Sequence, residues 1–262
     1  IADGDVVFDV GGVSRTAYVI GASQATSSST LLLYWHGTYE GNNNPLSNAL
    51  PWGWTSIADN ANALVVMPRA DVEAVSRTNN PFPWWIVCGA TNPAQCDRDD
   101  DFVFAEMIAS CVVEQGLADP NRLTASGMSA GGIMTSHLVE RGAGEHDLAA
   151  AVSFSGGTPA AYQPTVPISP ATAVWALHGG ASDVYCGVGQ PAGTCGGYEP
   201  YAFSAPSEQL ATDVNDPASG RFAFVCNHNS GHSTRMESQT AEFLLVANAA
   251  SAHPWRTFPN LG

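Results

Sequence analysis

Ser129 stands in Gly127-Met128-Ser129-Ala130-Gly131, between a short apolar run at Arg122–Ala125 and a helix-like run at Ile133–Glu140. Strand, Gly-x-Ser-x-Gly, helix is the pattern of a nucleophile elbow. Its two glycines let the chain reverse so sharply that the hydroxyl stands alone above a sheet. A serine hydroxyl is a weak nucleophile at neutral pH. It needs a base in hydrogen-bond reach, and the base needs a carboxylate to hold its tautomer. The alternative for Ser129 is an ordinary helix cap, so its context must supply both partners.

Two later stretches supply them. Gly179-Gly-Ala-Ser-Asp183 follows the apolar run Val174–His178, and Asn227-His-Asn-Ser-Gly-His232 follows Arg221–Cys226. Asp183 is the candidate acid; Asp213 and Asp216 are its rivals, although Asp216-Pro217 reads as a turn on a connection. His232 is the candidate base over His228, because Gly231 gives its loop freedom to swing the ring inward. His178 ends its own strand and reads as packing, as do His137, His146 and His253. The backbone N–H of Ala130 and that of Thr38, after His36-Gly37, are the expected oxyanion donors, with Tyr39 the alternative to Thr38. Tyr39, Trp84, Trp85 and Met128 are the candidate substrate contacts. Nothing in this chemistry requires a metal or cofactor.

These residues need elements to hold them. Val6–Val10 and Arg15–Ile20 alternate and flank Gly11-Gly12, which predicts an opening hairpin. Leu31–Trp35 and Ala63–Met67 are continuous apolar runs, as buried parallel strands are. A helix capped by Asp99 or Asp100 runs to Gly116, and a last helix lies near Arg235–Ala249. With the strands at Arg122–Ala125, Ala149–Phe154, Val174–His178 and Arg221–Cys226, the expected fold is one mostly parallel, eight-stranded α/β sheet with helices on both faces. No domain boundary shows, so residues 1–262 read as one domain. In such sheets chemistry gathers at the carboxyl ends of the strands. The order Ser…Asp…His is that of α/β-hydrolases.

Composition narrows the partners. With 24 acidic residues against 9 basic ones, all arginine, the net charge of −15 repels nucleic acid phosphates and anionic membranes. No apolar run approaches the roughly 18 residues that cross a bilayer. Six cysteines without metal-ligand spacing read as mostly disulfides in an oxidising compartment. The expected pairs are Cys88 with Cys96, and Cys186 or Cys195 with Cys226. Ile1 reads as a mature or trimmed start, and the chain as a secreted monomer.

The stretch Asp119-Pro-Asn-Arg-Leu-Thr-Ala-Ser-Gly-Met-Ser-Ala-Gly-Gly132 closely resembles the elbow of extracellular polyhydroxybutyrate depolymerases and the related feruloyl and acetylxylan esterases. Leu33–Gly37, Asp100–Val103, Ser153–Gly157 and Leu177–Gly179 with Asp183 resemble that family in the same order. The resemblance implies a secreted serine esterase with Ser129, Asp183 and His232 as its triad, acting on an ester substrate, polymeric or small. The sequence departs from that pattern at Thr38, at Asn42–Asn44 and across 186–197, on the side where substrate would bind. A peptidase on the same fold, or a catalytically silent binding module, are the competing functions.

Overall fold

In a computed structural model the described residues are 1–38, 53–75, 83–85, 99–157, 173–186, 201–215, 221–235 and 237–246. Eight strands form one sheet: β1 (Gly4–Val10), β2 (Val13–Ile20), β3 (Thr30–Trp35), β4 (Ala63–Pro68), β5 (Leu123–Met128), β6 (Ala150–Phe154), β7 (Ala173–His178) and β10 (Phe222–Asn227). Their order is β1-β2-β4-β3-β5-β6-β7-β10. The opening hairpin is antiparallel, β2 meets β4 antiparallel, and β4 through β10 run parallel. A separate ribbon pairs β8 (Val184–Tyr185) with β9 (Tyr201–Ala202).

Side-chain chemistry explains the placement. Every residue of β3, β4, β5, β6 and β7 is buried, which suits continuous apolar runs covered on both faces. The outer strands β1 and β10 alternate in burial instead. Successive β3 residues point to opposite layers. Leu31, Leu33 and Trp35 pack with α3 (Asp100–Glu114) and α4 (Ala130–Arg141), through Phe104, Ile108, Met134 and Leu138. Leu32 and Tyr34 pack with α1 (Trp54–Ala61) and α6 (Glu237–Val246), through Ala58, Phe243 and Leu244. A short helical turn, α2, spans Val72–Val75. Helix α5 (Ser204–Val214) covers β7 and β10 with Leu210, Ala211 and Val214. Helices therefore lie on both faces, as expected, although sequence reasoning missed α5.

Two expectations change. Asp99 precedes α3 but its carboxylate makes no cap; it pairs with Arg141 instead. Cys226 is not bridged, and neither is Cys111, so the expected disulfide to Cys226 is absent. Cys226 is the penultimate residue of an edge strand and packs against the Trp175 layer as a small apolar side chain. Cys88, Cys96 and Cys195 lie outside the described residues.

Candidate active site

β5 ends at Met128 and α4 begins at Ala130, so a single residue must turn the chain. Ser129 does so at φ 58°, ψ −120°, a left-handed conformation that costs a side-chain-bearing residue on the order of 1–3 kcal/mol. Its N–H donates to Phe154 O (2.9 Å) and its carbonyl accepts from Ile133 N–H (2.9 Å), which hold the strained turn from both sides. The flanking glycines are steric necessities. A Cβ on Gly131 would lie 1.8 Å from Trp35 O, and one on Gly127 2.3 Å from Gly131 O. Ser129 is 9 % exposed.

That close approach seats the end of β3 against the first turn of α4, where the backbone N–H groups lack intrahelical partners. Ala130, the first residue of α4, carries one of them. Thr38 follows His36-Gly37 on the β3 side, and its buried Oγ1 has no hydrogen-bond partner. Trp84 fixes this loop by donating its Nε1–H to His36 O (3.0 Å). Tyr39 lies outside the described residues.

The candidate acid and base, Asp183 and His232, meet at the far side of the same sheet edge. Asp183 follows a 3-10 turn after β7 and is fully buried. Its Oδ1 accepts from His232 Nδ1–H at 2.7 Å; its Oδ2 accepts from Gly179 N–H (2.7 Å) and the Ser155 hydroxyl (2.8 Å). Burial alone would raise this carboxyl, but the bonds from His232, Gly179 and Ser155 outweigh it, so Asp183 sits below its ordinary value. With the proton on Nδ1, His232 Nε2 carries the lone pair a base needs. Gly231, at φ 69°, donates its N–H to Gly179 O (3.0 Å), and a Cβ on Gly179 would lie 1.9 Å from Gly231 O. The two loops thus touch backbone to backbone. Phe203 stacks on the His232 ring, with centroids 4.7 Å apart and planes at 24°. No hydrogen bond joins His232 to Ser129 Oγ in this structure; the described connection between nucleophile and acid runs through Phe154 and Ser155 of the neighbouring strand end.

The rivals fall elsewhere. His228 Nδ1 accepts from Ser230 N–H, and burial lowers the pKa of that ring. His178 is buried and accepts from Gly180 N–H, as packing would have it. Asp213 is exposed on α5, bonded to Gln209, and Asp216 lies outside the described residues. Ser155 and Phe203 were not anticipated as site residues; the resemblance at Ser153–Gly157 spans the first, which sits at φ 45°, and nothing local marks the second.

Two of the expected substrate contacts are buried in this structure. Trp84 is fully buried, edge-on to Trp35 and beside His36. Trp85 is buried too, donating its N–H to Asp101 Oδ2 and its Nε1–H to Asp71 Oδ2. Trp84 anchors its segment to Trp35 and the His36 carbonyl, and Trp85 anchors it to a buried cluster of Arg15, Asp71 and Asp101. Met128 is buried in the layer with Leu32, Tyr34 and Phe154, packing beneath the elbow. Among the described residues no group of His, Cys, Asp and Glu is arranged to hold a metal ion, and no helix is long and apolar enough to cross a membrane.

By sequence, no protein-family model and no curated protein matches the chain. By structure it is similar to native pOPH, with a TM-score of 0.74 and 19% identity over 100% of this chain and 92% of that one. It is also similar to the Bacillus cereus carboxylesterase (TM-score 0.54, 18% identity, 88% and 93% covered). A third similar structure is poly(aspartic acid) hydrolase-1 from Sphingomonas sp. KT-1 (TM-score 0.57, 16% identity, 94% and 99% covered). Sheet order, the strained serine turn after β5 and these likenesses together identify the architecture: the chain has the α/β-hydrolase fold.

Proposed function

We propose that the protein is a serine esterase that hydrolyses carboxylic esters through an acyl-enzyme on Ser129, with Asp183 and His232 completing its triad. The observation that carries this reading is the 2.7 Å bond between His232 Nδ1 and a fully buried Asp183, in a sheet whose β5 ends on the strained turn at Ser129. His232 Nε2 takes the Ser129 proton as the oxygen attacks the ester carbonyl. The N–H groups of Ala130 and Thr38 hold the oxyanion, and His232 returns the proton to the leaving alcohol. Water repeats the cycle on the acyl-enzyme.

The likeness to the Bacillus cereus carboxylesterase, and to a pOPH complex described with pNPB, supports an ester substrate. The resemblance of the elbow to polyhydroxybutyrate depolymerases and feruloyl esterases favours a polyester or a plant-polysaccharide ester as the physiological one. Poly(aspartic acid) hydrolase-1 suggests an acidic polymer instead, but a net charge of −15 would repel a polyanion. Six cysteines support secretion into an oxidising compartment.

A fluorophosphonate should form one adduct, at Ser129, and Ser129→Ala should abolish p-nitrophenyl butyrate hydrolysis. No adduct at Ser129 would favour a silent binding module, and faster cleavage of amides than esters would favour a peptidase. A panel of feruloyl, acetyl and short-chain esters beside a polyhydroxybutyrate suspension assigns the substrate class. A rate independent of pH from 4 to 8 would contradict a histidine base.

A further inference from the structure

The Asp183 bond fixes the tautomer of His232 and the position of one ring atom. It leaves the ring free to rotate about that bond, and such rotation would carry Nε2 away from the serine. Phe203 removes the freedom. Its ring lies nearly parallel to the imidazole, 4.7 Å between centroids and 24° between planes, and is itself buried.

Phe203 is placed by the same backbone that places the acid. Its N–H donates to Asp183 O (3.1 Å), and the ribbon pairing Val184 with Ala202 and Tyr185 with Tyr201 runs between the two residues. Tyr201 packs against Phe203, with ring centroids 4.7 Å apart and planes at 58°. His232 arrives on a different segment, the loop after β10. One rigid unit therefore offers the ring a carboxylate at its edge and an aromatic face along its plane.

We propose that Phe203 is the positioning residue of the reaction: it fixes the plane of the His232 ring and favours the imidazolium that forms during proton transfer. The inference rests on the reading of His232 as base. An imidazolium against an aromatic face gains cation–π attraction that the neutral ring lacks, so the benefit appears in the transition state and not on substrate binding.

The test is Phe203→Leu, which keeps the site apolar, against Phe203→Tyr, which keeps the aromatic face. Activity is counted per site titrated with a fluorophosphonate, so unfolded protein drops out; Phe203→Met serves if the leucine variant does not fold. For Phe203→Leu, kcat on p-nitrophenyl butyrate should fall about tenfold (range roughly 2- to 30-fold) with KM within about twofold. The acid limb of kcat/KM should move to lower pH by about half a unit. Asp183, His178, Glu208, His228 and Arg235, the titratable groups on the surrounding elements, are the same in every variant, so that shift reports the lost aromatic face. Phe203→Tyr should behave as the native protein. An unchanged per-site kcat and acid limb in the leucine variant, or a tyrosine variant as impaired as leucine, overturns the proposal. If His232→Ala keeps native activity, the esterase reading itself fails, and the two failures are distinguishable.

Discussion

Lowering the pH from 7 to 5 should remove stability through His36, and the structure sets the size of the effect. His36 is buried at the end of β3, its Nδ1–H donating to Gly37 O (2.8 Å) and its Nε2 without a partner. Burial pushes its pKa from 6.5 down to about 4, against a small rise from the Gly37 bond. An unfolded chain protonates this histidine near pH 6.5, while the folded one holds it neutral until about pH 4. Between those values the unfolded state binds more protons, so stability is complete above 6.5 and drains away as pH falls. At about 1.4 kcal/mol per pH unit, the descent to pH 5 costs about 2 kcal/mol, a large part of a typical 5–15 kcal/mol. The assay is urea unfolding followed by tryptophan fluorescence at pH 7, 6 and 5, for the native protein and for His36→Gln. Glutamine can still donate to Gly37 O but does not titrate. The gap between native and variant stability should close, or move in the variant's favour, by about 2 kcal/mol on acidification. A gap that stays constant across pH would refute the reasoning.

His137 should behave in the same sense. Burial and the nearby Arg141 charge push it down to about 3, and Glu140, 3.6 Å away, is too far to hydrogen-bond it; His137→Gln should flatten the pH dependence of stability by a similar amount. Asp183→Asn should leave the fold intact and lower kcat by about 10⁴ with KM little changed, because the imidazole loses its tautomer; steady-state kinetics checks this. Gly131→Ala, whose Cβ would meet Trp35 O at 1.8 Å, should destabilise the protein by at least 1–3 kcal/mol in urea and depress activity per folded molecule. Trp85→Phe should leave Asp71 Oδ2 without its indole donor (3.0 Å), costing about 1–3 kcal/mol in a melt. Its kcat and KM should not change, since the ring is structural.

What could be read from the chain was whatever local pattern encodes. The central strands show as unbroken apolar runs because both faces are covered, and the elbow shows because only glycine fits at 127 and 131. Asp183 and His232 were legible as strand-end residues in the right order. Helix α5 was not: its buried stripe is Ser207, Leu210, Ala211 and Val214, with only two large apolar residues to mark the period. The tryptophan pair misled because its burial depends on partners remote in sequence. Arg15 and Asp101, 86 residues apart, form the buried pair that receives Trp85, and His36 O receives Trp84. Phe203 was invisible for the same reason, since no spacing rule connects an aromatic residue to an imidazole on another segment.

The contact between Gly179 and Gly231 has an implication for retuning this protein. The loops that carry Asp183 and His232 abut backbone to backbone at Gly179 and Gly231, and the bond between the Asp183 and His232 side chains is a second tie between them. Neighbouring positions can be varied with the two loops still in contact, provided 179 and 231 keep their bare backbones and Asp183 and His232 are spared. A library that spares Gly179, Asp183, Gly231 and His232 and randomises around them should therefore keep the paired loops far more often than one that varies those four positions.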